Sequence, residues 1–152
     1  MAQARTSASG AWQHSCPQRT ADLEVFVSFD PAETYVHLTA AGSAEPVPGG
    51  ERFWSLPEAE LDRFDGGWLI TEFECASDWS NWEMHPDADE FVYLLSGAAV
   101  LMLEEPGGLR EVPLLRRAAV VVPRGIWHTA KVSEPSRMLF VTRGRGTEHR
   151  AA

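Results

Sequence analysis

From Trp68 to Thr142 the chain is cut into short stretches of alternating side chains, most of them closed by a Gly or Pro turn. That rhythm limits the fold more than any other feature of the sequence. In Trp68 to Cys75, Glu72 and Glu74 share one face while Phe73 and Cys75 share the other. Trp79 to His85, Glu90 to Leu95, Ala98 to Leu103, Leu109 to Pro113, Ala118 to Val122, Trp127 to Val132 and Met138 to Thr142 follow, with turn residues at Gly97 and Pro106-Gly107-Gly108. Two further strands are expected earlier, Glu24 to Phe29 and Thr34 to Thr39, ahead of a Gly-, Ser- and Pro-rich loop over 41–50. A single short helix is expected near residues 57–65: Pro57 falls in its first turn, Leu61 and Phe64 keep helical spacing, and Gly66-Gly67 stops it. Many short strands at close spacing indicate an all-β antiparallel sandwich or barrel.

A length of 152 residues is one domain, with enough chain to bury a core. Residues 1–20, rich in Ala, Ser, Gln and Arg, read as a flexible N-terminal arm; residues 21–142 read as the barrel, and 143–152, with Arg143, Arg145 and Arg150, as a polar C-terminal tail. Thirteen basic against 22 acidic residues give a net charge of −9, which speaks against nucleic acid as a partner. No apolar run approaches a membrane span, and the N-terminus lacks the layout of a secretory leader, so a cytoplasmic protein with no membrane partner is expected. Cys16 and Cys75 form no CxxC pair and fit reduced thiols; His14 and Cys16 receive no ligand role.

The chemistry concentrates in residues 83–97. Glu83 and His85 sit two apart and therefore share a strand face. Pro86-Asp87-Ala88-Asp89 is turn chemistry that can fold Glu90, the first residue of the next strand, back beside His85. His128 follows a second turn, Pro123-Arg124-Gly125. Four nitrogen and oxygen donors on neighbouring strands read as a metal site.

These residues resemble the two signature motifs of the cupin superfamily, a small jelly-roll barrel. The first motif, His-x-His, then Glu, then Gly, is matched by Glu83-Met84-His85, Glu90 and Gly97; the second, with Pro-x-Gly followed by His, by Pro123-Arg124-Gly125-Ile126-Trp127-His128. The resemblance covers roughly residues 66–142 and implies a single-domain cupin barrel with His85, Glu90 and His128 as metal ligands. It departs at three places: Glu83 replaces the first His, Arg117 stands where the second motif opens with Gly, and Val132 replaces its closing Asn. Small cupins often pair, so a homodimer is also implied.

Two imidazoles and a carboxylate suit Fe(II), the first choice here, and also bind Zn(II); Mn(II) and Ni(II) are compatible by donor type. Glu83 is either a fourth ligand, neutralising the divalent charge together with Glu90, or an unligated catalytic acid or base. Strand parity places Trp79, Val92, Leu94, Ala130 and Val132 on ligand-bearing faces as candidates to line a substrate pocket, and turns Trp82, Met84 and Trp127 away. Glu72 and Glu74 share a face that can reach a pocket but read first as solvated, as does the tail residue His149, and His37 reads as structural. Two functions follow: a metal-dependent enzyme on a small organic molecule, with dioxygenation ahead of isomerase or lyase chemistry, or a non-catalytic module that binds a small ligand.

Overall fold

The computed structural model describes residues 28–115 and 117–152. The arm over 1–20, the Glu24–Val27 part of the first expected strand, His14 and Cys16 lie outside the described residues.

Nine strands are described: β1 (Thr34–Leu38), β2 (Ala44–Pro48), β3 (Trp68–Cys75), β4 (Asn81–Met84), β5 (Glu90–Glu105), β6 (Gly108–Leu115), β7 (Ala119–Val122), β8 (Trp127–Thr142) and β9 (Glu148–Ala151). All pairings are antiparallel. The architecture is an all-β jelly roll, and two long strands organise it. The first half of β5 pairs with β7 and with the end of β8, which continues to β3, β1 and β2. The second half of β5 pairs with β6 and with the start of β8, which continues to β4 and β9. Two sheets result, joined where β5 and β8 bend together.

The bend sits at Gly97, amid register shifts from Leu94 to Ala99. Gly97 has φ +86°, and a Cβ there would stand 2.4 Å from the Pro135 carbonyl oxygen. The residue marks a bulge inside one 16-residue strand, where the sequence suggested a turn between two. Positive φ serves turns and bulges alike, so the Gly signal alone does not separate them. The same correction applies to β8, which runs unbroken through residues 133–137.

Between the sheets Val92, Leu94, Leu101, Ala130 and Met138 are fully buried. Each large side chain among them contributes about 1.5–3 kcal/mol by leaving water. A second cluster, Tyr35, Val47, Phe53 and Phe64, ties the β1–β2 hairpin and the helical turns to the barrel. The helix expected near 57–65 is present as α2 (Glu58–Leu61) followed by a 3-10 turn at Asp62–Phe64. A further turn, α1 (Glu51–Trp54), was not expected. The loop reading of 41–50 is corrected, because Ala44–Pro48 is an edge strand where two prolines are tolerated. The tail reading of 143–152 is corrected too, because Glu148–Ala151 pairs with all four residues of β4. All four β9 residues are exposed, so no apolar alternation announced the strand. No helix among the described residues is long and apolar enough to cross a membrane.

Candidate metal centre

The site lies at one end of the space between the sheets. Glu83 on β4 is the cross-strand partner of His128 on one side and of His149 on the other. His85 ends the same segment, and its carbonyl accepts from the Gly125 amide at 2.8 Å. The Arg124 amide donates to Asp89 Oδ1 at 2.9 Å, which ties the 86–89 turn to the 123–125 turn. That pair of turns delivers Glu90 from the opposite sheet. One donor atom from each of Glu83, His85, Glu90 and His128 lies within 4.8 Å of the others.

The imidazoles are held with one nitrogen toward the centre. The Thr147 hydroxyl donates its single proton to the Gly144 carbonyl at 2.8 Å, so at 2.8 Å from His85 Nδ1 it can serve only as acceptor. His85 therefore carries a proton on Nδ1 and directs Nε2 inward. There Nε2 is buried without a hydrogen-bond partner, 3.4 Å from Glu90 Oε1 in a geometry that makes no hydrogen bond. His128 Nδ1 donates to the Ile126 carbonyl at 3.1 Å, leaving Nε2 3.0 Å from Glu90 Oε2 and 3.4 Å from Glu83 Oε1. Thr142 donates to Glu90 Oε1.

Burial works to raise the pKa of Glu90, but the neighbouring imidazoles of His128 and His85 overcome it and hold the carboxyl at about 2. Burial likewise works to lower His128, and the carboxylates of Glu83 and Glu90 overcome it and hold the imidazole at about 10. In the absence of a cation, His128 itself supplies the positive charge that two carboxylates need. A divalent ion would replace that proton. Donors about 2.0–2.2 Å from one ion stand no more than about 4.4 Å apart, so slight closure suffices for these four to hold it. The unpaired His85 Nε2 is the observation that fits such an ion best, since a buried polar atom without a partner is otherwise costly.

A cavity of about 650 Å³ opens onto Glu83, His85 and Glu90. Trp54, Leu69, Phe73, Trp79 and Phe140 wall it, and Thr147 and His149 line it too. Trp79 lines it, whereas Val92, Leu94 and Ala130 do not: all three are sealed in the barrel core, so the pocket expectation is corrected for them. They share the inward face with the ligands, but they sit farther along their strands, where side chains fill the barrel. Val132 also packs against that core. Trp82 and Trp127 turn outward, where Arg150 stacks on both rings. Glu72, read as solvated, is buried beneath Arg137, while Glu74 is exposed. Cys75 is a free thiol on the cavity wall with its pKa raised by burial. His37 is buried edge-on to Phe64, away from the centre.

Thr147, His149, Phe73 and Trp54 were missed as site residues. Thr147 and His149 fall in the segment read as a tail, and Trp54 in a helical turn without a sequence signal. Phe73 shares with Thr71 and Cys75 the face of β3 that lines the cavity, and alternation alone does not tell a cavity face from a core face.

Residues 71–142, which include all four donors, match a family model described as a cupin domain. Similar solved structures include a cupin-2 domain protein from Shewanella frigidimarina, at 16% identity over 49% of this chain and 69% of that one, with a TM-score of 0.43. A cupin superfamily protein from Desulfitobacterium hafniense matches at 23% over 49% of this chain and 65% of its own, TM-score 0.43. A hydroquinone 1,2-dioxygenase from a Sphingomonas species, with 4-hydroxybenzoate bound, matches at 20% over 48% and 57%, TM-score 0.42. The last two matches span less than two thirds of those chains. No curated protein sequence matches the chain at a significant level.

Proposed function

Residues 71–142 match the cupin-domain family, and from that premise we propose a metal-dependent enzyme that acts on a small organic molecule, with Fe(II) as its ion and dioxygenation as its reaction. The convergence of Glu83, His85, Glu90 and His128 carries this reading. When bound, Fe(II) among two imidazoles and a carboxylate supplies open positions for dioxygen and for an oxygen atom of the substrate. His85, Glu90 and His128 are the buried holders of the ion.

Glu83 differs from them. Its side chain is 23% exposed and lines the cavity, with Oε2 3.6 Å from His149. On that ground it is the group to take or return a proton at Oε2 while the aromatic wall holds the substrate. The wall and a volume of about 650 Å³ suit a ligand with one or two rings and an oxygen donor. Acidic lining groups and the metal centre set its orientation.

Oxygen uptake by the Fe(II)-loaded protein with diketones, catechols and thiols tests the reading. Turnover with one class supports it; no turnover with Fe(II), Zn(II), Mn(II) or Ni(II) gives the non-catalytic ligand-binding module instead. Glu83→Gln separates the two roles of that residue: loss of bound metal makes it a ligand, and metal retained with turnover lost makes it the acid or base. The homodimer implied by the resemblance is tested by light scattering in solution.

A further inference from the structure

The four donors lie within the family-matched region, yet two of them are held from outside it. β4, which carries Glu83 and runs into His85, pairs with β8 at one register position, Glu83 with His128. It pairs with β9 along its whole length. Thr147 fixes His85 Nδ1, and His149 sits against Glu83 Oε2. On the outer face, Arg150 lies 5.3 Å from the Trp82 ring and 4.4 Å from the Trp127 ring and pairs with Glu104. One side chain thereby fastens β9 across β4 and β8 to β5. The Ala152 amide adds a bond of 3.0 Å to the Ser80 carbonyl.

We propose that the strand at Glu148–Ala151 and the Thr147 turn before it are a built part of the metal site, with Thr147 the positioning residue that sets the His85 tautomer and Arg150 the clamp that keeps β4 in register. The inference rests on the metal reading for Thr147 and is independent of it for the clamp. The hydroxyl of Thr147, already committed as donor to Gly144, accepts from Nδ1 and so turns a bare Nε2 toward the centre. A hydrogen-bonded outer nitrogen of this kind commonly governs metal affinity.

The test uses Co(II) absorption titrations and amide hydrogen exchange on the full chain. Thr147→Val, which keeps the shape and removes the acceptor, should lower Co(II) affinity by about 10–100-fold, and Thr147→Ser should stay within about threefold of the parent. In the Zn(II)-loaded parent, the His85 Nδ1–H resonance should exchange slowly and show a contact to the Thr147 methyl; in Thr147→Val it should exchange fast. In the metal-free protein, Arg150→Ala should speed exchange of the β4 amides by about tenfold and leave those of β5 unchanged. Equal Co(II) affinity in Thr147→Val, or equal loss in Thr147→Ser, overturns the positioning role. Unchanged β4 exchange in Arg150→Ala overturns the clamp. A parent that takes up no Co(II) while β4 exchange responds overturns the metal reading and the role of Thr147, and supports the clamp.

Discussion

Metal uptake should become tighter as pH rises, and the slope follows from the protons on His128. Nδ1 is committed to the Ile126 carbonyl, while Nε2 faces Glu90 Oε2 at 3.0 Å and Glu83 Oε1 at 3.4 Å. With its pKa raised to about 10, the metal-free imidazole is protonated on both nitrogens near neutral pH. An ion that binds at Nε2 must expel that proton, so uptake releases one proton per ion on account of His128. Affinity then rises about tenfold per pH unit, or about 30-fold between about pH 7 and about pH 8.5, each factor of ten being about 1.4 kcal/mol. Zn(II) titration against a competing chelator reads the slope, and calorimetry in buffers of different ionisation enthalpy counts the protons. Glu90→Gln removes the nearest carboxylate, so it should lower both slope and affinity. Affinity independent of pH, with no proton released, would refute the reasoning.

Stability of the metal-free protein carries the same signature with two signs. The lowered Glu90 contributes stability present above its reference of 4.5 and lost as pH falls toward about 2; the raised His128 contributes stability fully present below 6.5 and lost as pH climbs through about 10. Thermal melts should therefore show this pair's full contribution between those references, and a melting temperature still rising from pH 7 to pH 10 would contradict it. Gly97→Ala should lose about 2–4 kcal/mol in urea melts, from positive φ and from a Cβ pressed on the Pro135 carbonyl; a loss under about 0.5 kcal/mol would deny the bulge. Arg117 holds φ +68° where the cupin motif places Gly, so Arg117→Gly should gain up to about 1 kcal/mol, relief of strain exceeding added freedom in the unfolded chain. A clear loss would mean that the Arg117–Tyr93 hydrogen bond matters more.

Much of the site was legible because strand parity is local. Glu83 and His85, two apart, had to share a face, and the turn from Pro86 to Asp89 had to reverse the chain before Glu90. The same logic turned Trp82 and Trp127 outward. The departure at Arg117 was visible as well, although the strain it carries became clear only from its φ.

The sequence by itself determined the all-β class and singled out Glu83, His85, Glu90 and His128 as candidate donors, because period-two alternation and turn chemistry act over a few residues. Tertiary structure alone decided how far each inward residue lies from the opening. Glu90 reaches the cavity while Val92 and Leu94 are sealed behind it, since parity gives a direction and no depth. It also decided that β9 belongs to the site. Thr147, His149 and Arg150 act through partners between 23 and 68 positions away, and no local pattern in an exposed polar segment encodes a partner so distant.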